Sequence, residues 1–279
     1  MRLMQEKILQ LVYQTMEEIN QKLGTDFSKD KIEIAFFTPA TGVSVYEKLC
    51  ERYFPKHLTQ EYKQKGYFET FAAMAFIGEE KDGILIREDV DLSAFEWHHM
   101  ILHEFSHIIV CREELNGEMF YDKYCVDYTD NTIEDGSINA GYAIWREFSA
   151  EVFALDLDDA IYPYSLNDAK RRIDELISFI SVENPNAKEA MQKLLNVIFK
   201  SDDYYLSKSA DEFISRIKKS KVSKILIFES IIRLVFEQLS HECAWEIDID
   251  FIREFGCQYL LCLGLIAFKN LILEVIYYE

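Results

Sequence analysis

The stretch WHHMILHEFSHIIVC, Trp97 to Cys111, decides how this chain is interpreted. Each residue of a helix advances about 100° around the axis. A helix here would therefore bring His103 and His107 onto one face, one turn apart. The other side of that helix would be apolar and could anchor it in a core, since it carries Ile101, Leu102, Phe105, Ile108 and Ile109. We predict such a helix, with Asp91 or Ser93 as its N-cap.

The pentad His103-Glu104-Phe105-Ser106-His107 has the HExxH spacing of a zinc site. Two imidazoles one turn apart on a helix can reach a single ion. Glu104 lies too far round the helix to coordinate comfortably, but it is near enough to take a proton from water at the metal. We predict that His103 and His107 bind Zn²⁺ and that Glu104 is the general base. The alternative is a chance grouping on a surface helix, and the apolar flanks argue against it.

A catalytic zinc takes a third protein ligand, which a second predicted helix, about Ala140 to Asp158, can supply. Glu147 and Glu151 are four residues apart and share a face of that helix. The same face carries small side chains that would let two helices approach closely: Ala143, Ala150 and Ala154. Two carboxylates on an otherwise apolar helix are costly to bury without a partner such as a metal. The alternative is that both face solvent, paired with Arg146 or a lysine.

The pentad and the spacing of Glu147 and Glu151 together resemble the gluzincin metallopeptidases, the thermolysin-like zincins. The resemblance implies that a glutamate on a later helix is the third ligand. It also implies that a carboxylate four residues further on orients the first motif histidine. Carried over, Glu147 binds zinc and Glu151 hydrogen-bonds His103, while the reverse assignment of the two glutamates stays open.

The order of helix, strands, pentad helix and glutamate helix over Lys31 to Asp158 also resembles the small gluzincin core. That core includes the phage-repressor-cleaving metallopeptidases of mobile elements. His107 and Glu147 lie farther apart in sequence than is typical of thermolysin-like enzymes. The fold class that follows is α+β, with a zincin-like lobe over residues 1–162 and an all-helical lobe over residues 163–279. The first lobe would hold a small mixed sheet, the pentad helix and the glutamate helix.

The function implied by the resemblance is a zinc-dependent peptidase in which Glu104 activates water at the metal. A second oxyanion donor is usual in such sites. The candidates for it are Tyr142, Tyr162, Tyr164 and His99. A strand between Tyr67 and Arg87 would border the cleft and could pair with an extended peptide. Two alternatives stay open: a non-catalytic metal-containing scaffold or regulatory module, and a hydrolase of another amide.

The secondary structure predicted around these helices follows from periodicity and from turn residues. Before the pentad we predict a helix over Arg2–Leu23 ended by Gly24, a strand over Lys31–Thr38, a helix over Val43–Phe54 and two hairpin strands over Tyr67–Ile77 and Gly83–Arg87. The polar, acidic stretch from Arg112 to about Asn139 is predicted to be a loop with one short element at most. From Ser165 onward the pattern is helical, with further helices over about Ala210–Lys219, Ser223–Ser240 and Ile249–Tyr277.

Composition and charge limit the classes of partner that this protein is expected to bind. The formal net charge of −19 would repel phosphate backbones, so a nucleic-acid partner is not expected. The N-terminal stretch lacks the features of a signal peptide, and the apolar run Gly256 to Phe268 is too short to cross a bilayer. The six cysteines form no CxxC pair and are expected to be reduced and buried. These features predict a cytoplasmic protein that binds no membrane, and the resemblance implies that its substrate is a peptide or protein.

Overall fold

The computed structural model describes residues 2–55, 61–112, 117–125, 133–158, 209–219, 229–239, 243–244 and 246–262. Over these residues the chain is α+β and mostly helical, with a small mixed sheet, which confirms the predicted fold class at this level. The predicted lobe boundary after residue 162 and the helices predicted from Ser165 to about residue 208 lie outside the described residues. The chain divides into two compact units, residues 1–114 with 153–159 and residues 115–152 with 160–279.

The first unit contains three long helices and three short strands. They are α1 (Arg2–Leu23), β1 (Ile32–Phe37), α2 (Gly42–Tyr53), β2 (Ala73–Phe76), β3 (Asp82–Arg87) and α3 (Ala94–Arg112). Each lies where the sequence predicted an element. The end of α1 follows from Gly24, whose φ of 72° is a left-handed conformation that glycine adopts without strain.

The sheet has the order β1-β3-β2. The central strand β3 pairs parallel with β1, from Ile32 opposite Asp82 to Phe37 opposite Arg87, and antiparallel with β2. The antiparallel pair confirms the predicted hairpin, but the first part of its predicted first strand is wrong. Tyr67–Glu69 form a 3₁₀ turn instead, because Gly66 has a φ of 84° that redirects the chain.

An aromatic cluster fills the core of this unit. Its members come from the sheet, from α2 and from the segment between α2 and β2: Phe37, Tyr46, Leu49, Cys50, Phe54, Tyr62, Phe68, Phe76 and Leu85. Phe54 stacks on Phe76 with ring centroids 5.3 Å apart, and Tyr46 stacks on Tyr62 at 4.9 Å. This burial anchors the sheet.

The second unit is helical wherever it is described. It contains α4 (Gly117–Tyr124), most of α5 (Ile133–Leu157), α6 (Ala210–Lys219), α7 (Glu229–Gln238) and α8, described over residues 249–262. The prediction for α6 is confirmed, and α7 and α8 fall within predicted helices whose remaining residues lie outside the described ranges. No helix of the described residues is long and apolar enough to cross a membrane.

The stretch from Arg112 to Asn139 was predicted as a loop with one short element, and α4 is such an element. The predicted start of the next helix at Ala140 is wrong, because α5 begins seven residues earlier. Tertiary contacts stabilise both elements. Tyr142 stacks on Phe120 of α4 at 5.4 Å, and its hydroxyl donates to the carbonyl oxygen of Gly117 at 2.9 Å. A Cβ on Gly141 would lie 2.0 Å from the carbonyl oxygen of Ile252, so α5 and α8 approach too closely for any larger residue.

The cysteine prediction is confirmed in part. All six cysteines lie within the described residues, and none of them forms a disulfide. Cys50 and Cys111 are buried, whereas the other four are only half-buried, contrary to the prediction. Burial raises the pKa of the Cys50 thiol from 9.0 to about 11, so this thiol stays protonated and unreactive at neutral pH.

Candidate metal centre

The pentad lies in the middle of α3, and both ends of that helix are held by polar contacts. At the start, the Ser93 N–H donates to Glu96 Oε2 at 2.8 Å, and the Glu96 N–H donates back to Ser93 Oγ at 3.3 Å. This is a capping box. Of the two predicted N-caps, Ser93 is therefore the one that caps the helix.

At the other end of α3, the guanidinium of Arg112 binds the loop between β2 and β3 and the first residue of β3. Its Nε and Nη2 donate to the Asp82 carboxylate at 2.7 to 2.9 Å, and Nη2 also donates to the carbonyl oxygen of Gly78. Asp82 Oδ1 in turn accepts from the Gly78 N–H at 3.2 Å. We call this arrangement the Arg112 clasp. It ties the pentad helix to the sheet.

The pentad presents the two faces that the sequence predicted. The five apolar residues of the anchoring side are all at most 3% exposed: Ile101, Leu102, Phe105, Ile108 and Ile109. On the other face, the rings of His103 and His107 lie 4.7 Å apart between centroids and almost perpendicular, at 86°. His107 and Glu104 are buried, whereas His103 is half-buried. A small ligand could therefore approach the pair from the side of His103.

The two candidate glutamates on α5 differ in burial. The side chain of Glu147 is 16% exposed and lies 3.4 Å from Arg146 Nη2, whereas Glu151 is buried at 3% exposure. Neither glutamate therefore faces solvent, although the contact with Arg146 that the alternative required is present. Of the three alanines predicted to share this face, Ala150 and Ala154 are fully buried, whereas Ala143 is half-buried.

The donor atoms of His103, His107 and Glu147 form a group that could hold a metal ion. One donor atom from each residue lies within 4.8 Å of the other two. Two ligands bound at about 2.0–2.1 Å in a tetrahedral zinc site lie about 3.4 Å apart, so rotations of the three side chains would have to close a gap of up to about 1.4 Å. Two imidazoles and one carboxylate are a donor set found in catalytic zinc sites, and the residues therefore fit the predicted ion.

Comparison with known proteins assigns the chain to no family. No family model matches it, and neither a curated protein nor a solved structure does. The function of the protein is therefore inferred from the pentad and from the geometry around it.

Other residues near the three donors were predicted to orient His103 or to stabilise the oxyanion. Glu151 is not a member of the three-residue group, and its orienting contact with His103 stays a prediction. The hydroxyl of Tyr142 donates to Gly117, and Nδ1 of His99 faces Asp158 at 3.4 Å, so both oxyanion candidates have other contacts. Tyr162 and Tyr164 lie outside the described residues.

A polar cluster at the end of α5 was missed in the sequence. We call it the Asp158 cluster, and it consists of Glu18, His98, His99 and Asp158. His98 Nε2 lies 2.9 Å from Glu18 Oε2, and His98 Nδ1 lies 3.7 Å from Asp158 Oδ1. The adjacent histidines before the pentad were a visible signal, but their partners are distant in sequence. Local periodicity cannot identify such partners.

Proposed function

We propose that this protein is a zinc-dependent peptidase of the gluzincin type. His103, His107 and Glu147 would hold the ion, and Glu104 would be the general base. The observation that carries the proposal is the group of three donors within 4.8 Å, two of which come from an HExxH pentad. When bound, zinc would polarise the scissile carbonyl and lower the pKa of water.

The donor set favours zinc over the common hard cations. Mg²⁺ and Ca²⁺ prefer oxygen ligands, whereas two imidazoles suit zinc and its transition-metal neighbours. In the described residues no other group of three or more histidine, cysteine or acidic side chains comes close enough to hold an ion. The proposed ligands are therefore the place to look for the metal.

Glu104 has the surroundings that a general base needs. It follows His103 directly in the helix and is 7% exposed, so little bulk water competes for its carboxylate. Its oxygens would accept the proton of the attacking water and pass it to the nitrogen of the leaving amine. Glutamine at this position would keep the size of the side chain but could not accept the proton.

The choice of a peptide as substrate is supported by the sheet. β2 is an edge strand in the order β1-β3-β2, and α3 packs against it. No strand of the described residues pairs with its outer edge. An extended peptide could add to that edge by main-chain hydrogen bonds, which would place its backbone beside the pentad helix.

The metal is tested first, by measuring bound zinc in protein purified without added metal. We expect one zinc per chain in the wild type and less than a tenth of that in His103→Ala and Glu147→Ala. Glu17→Ala, at an exposed position of α1, is the matched control and should keep its zinc. Stoichiometric zinc in both ligand variants would refute the ligand assignment, and its loss in Glu151→Ala with retention in Glu147→Ala would reverse the roles of the two glutamates.

The reaction is tested by incubating wild type and Glu104→Gln with a broad peptide library and identifying new termini by mass spectrometry. We expect cleavage by the wild type and a rate at least about a hundredfold lower in the variant. A wild type that binds zinc but cleaves nothing above the variant would favour the metal-containing scaffold. Cleavage confined to amides that are not peptide bonds would favour the hydrolase of another amide.

A further inference from the structure

The Asp158 cluster lies just beyond the last residue of α5, the helix that carries Glu147. The Asp158 side chain is only 2% exposed. Its Oδ2 lies 3.4 Å from Nδ1 of His99, and its Oδ1 lies 3.7 Å from Nδ1 of His98. Both histidines belong to α3, so this carboxylate joins the end of one long helix to the first half of the other.

An acidic residue at this position is unfavourable for the helix itself. The C-terminal end of a helix carries partial negative charge and prefers cations. The last turn of α5 contains no basic residue, and Asp156 and Asp158 lie at this end instead. The missing positive charge comes from α1, where Lys22 Nζ donates to the carbonyl oxygen of Leu157 at 2.5 Å. A residue that opposes its own helix but has several tertiary partners is more often kept for a site than for the helix.

Because Asp158 lies at the end of α5, a small change in the direction of the helix there would move the proposed ligand Glu147. Asp158 follows Glu147 by eleven residues, which is about 16 Å along a helix. A tilt of about 5° at that end would displace Glu147 by about 1.4 Å over this length. Zinc ligand distances vary by only about ±0.2 Å, so the Glu147 side chain would have to rotate to compensate for such a shift. On α3, His99 precedes His103 by a single turn. The contact between His99 and Asp158 therefore lies close to the two proposed histidine ligands.

We propose that Asp158 is a positioning residue for the metal centre. Through His99 and His98 it holds α5 so that Glu147 stays within reach of an ion bound by His103 and His107. This inference rests on the proposed function, since it assumes that these three residues are the ligands. Asp158 itself is neither a ligand nor a catalytic residue in this scheme.

The test compares zinc affinity in Asp158→Asn, Asp156→Asn and the wild type. Asp156→Asn is the matched control, because it removes the same charge from an exposed position two residues earlier. Affinity is measured by competition with a chromophoric chelator at a temperature well below the melting point of each metal-free protein. The visible spectrum of the Co²⁺ form reports the coordination geometry, which a purely structural loss of stability would not change.

We expect Asp158→Asn to bind zinc about tenfold more weakly, within the range known for residues that support metal ligands, and to alter the Co²⁺ spectrum. Asp156→Asn should stay within about twofold of the wild type, since it leaves the ligand supports intact. If Asp158→Asn loses stability but keeps wild-type affinity and spectrum, the positioning role is wrong while the proposed function stands. If the wild type binds no zinc, the proposed function fails and the inference fails with it.

A second pair of variants covers the case in which Asp158→Asn does not fold. His99→Leu removes the imidazole contact from the other side, whereas His99→Asn can place an amide nitrogen near the position of Nδ1. We expect weakened zinc binding in His99→Leu and recovery of most of the affinity in His99→Asn. Equal affinities in these two variants and the wild type would overturn the proposal.

Discussion

The aromatic cluster and the polar residues of α3 and α5 are both buried, yet they consist of opposite chemistry. In the aromatic cluster Cys50 and Tyr46 stay neutral, because burial raises the pKa of Cys50 to about 11 and the pKa of Tyr46 well above its ordinary value. In α3 and α5 the buried groups are carboxylates and imidazoles, among them Glu104, His107 and Glu151. Each buried ion costs several kcal/mol unless it is paired.

The two groups of buried residues are expected to contribute differently to the stability of the fold. The aromatic cluster needs only shape and apolar area to stabilise the fold. Buried carboxylates and imidazoles stabilise a fold less than apolar side chains do, and the proposed function would account for their presence in α3 and α5. The following substitutions test the comparison, from the largest expected effect to the smallest.

Truncating the aromatic cluster should have the largest effect on stability. Phe76 is fully buried and stacks on Phe54, so Phe76→Ala would leave a cavity and cost about 3–5 kcal/mol of the free energy of unfolding. The measurement is urea unfolding followed by circular dichroism. Phe95→Ala, at a residue that is 62% exposed, is the control and should cost less than about 0.5 kcal/mol. Equal losses in both variants would show that the cluster is not the stabilising core.

The Arg112 clasp tests whether a fully paired, partly buried polar contact contributes to the stability of the fold. Asp82→Asn would leave the guanidinium facing a neutral amide and should cost about 1–2 kcal/mol, since Arg112 is partly exposed and solvent screens part of the charge. The same unfolding experiment measures it. Asp26→Asn breaks the exposed pair with Lys31 and should leave the unfolding midpoint unchanged. A midpoint that Asp82→Asn does not move would mean that the clasp contributes no stability.

Neutralising Glu104, the proposed general base, should have the smallest effect on stability, and in the opposite direction. In metal-free protein, Glu104→Gln removes a buried charge and should raise stability by about 1 kcal/mol. The check is the melting temperature in the presence of a chelator. A lower melting temperature than that of the wild type would indicate that Glu104 has a structural role, and the contrast with the aromatic cluster would then be lost.

The pentad helix could be predicted because everything that defines it is local. The period of the apolar residues, the spacing of His103 and His107 and the Ser93 cap all lie within about twenty residues of sequence. The same reasoning located α1, β1, α2 and the hairpin of β2 and β3. The resemblance to the gluzincins implied Glu147 as the third ligand, and Glu147 belongs to the three-residue group.

The errors have a common cause. The start of α5 was predicted as loop because its sequence is polar, whereas Tyr142, Gly141 and Gly256 stabilise it through contacts distant in sequence. The turn at Tyr67–Glu69 was predicted as strand because its residues are aromatic, and Gly66 overrides that preference. In each case a tertiary contact or a single glycine conformation outweighs the local pattern.

The sequence by itself determined that one helix would present two imidazoles and a carboxylate, because a helix places residues four apart on one face whatever surrounds it. Only the tertiary structure decided that Glu147 joins His103 and His107 within 4.8 Å and that Glu151 is buried without joining that group. Both glutamates share the same face of α5, and local spacing cannot choose between them. Such a choice needs contacts between residues distant in sequence, of which the contacts of Asp158 with histidines about sixty residues earlier in the chain are an example.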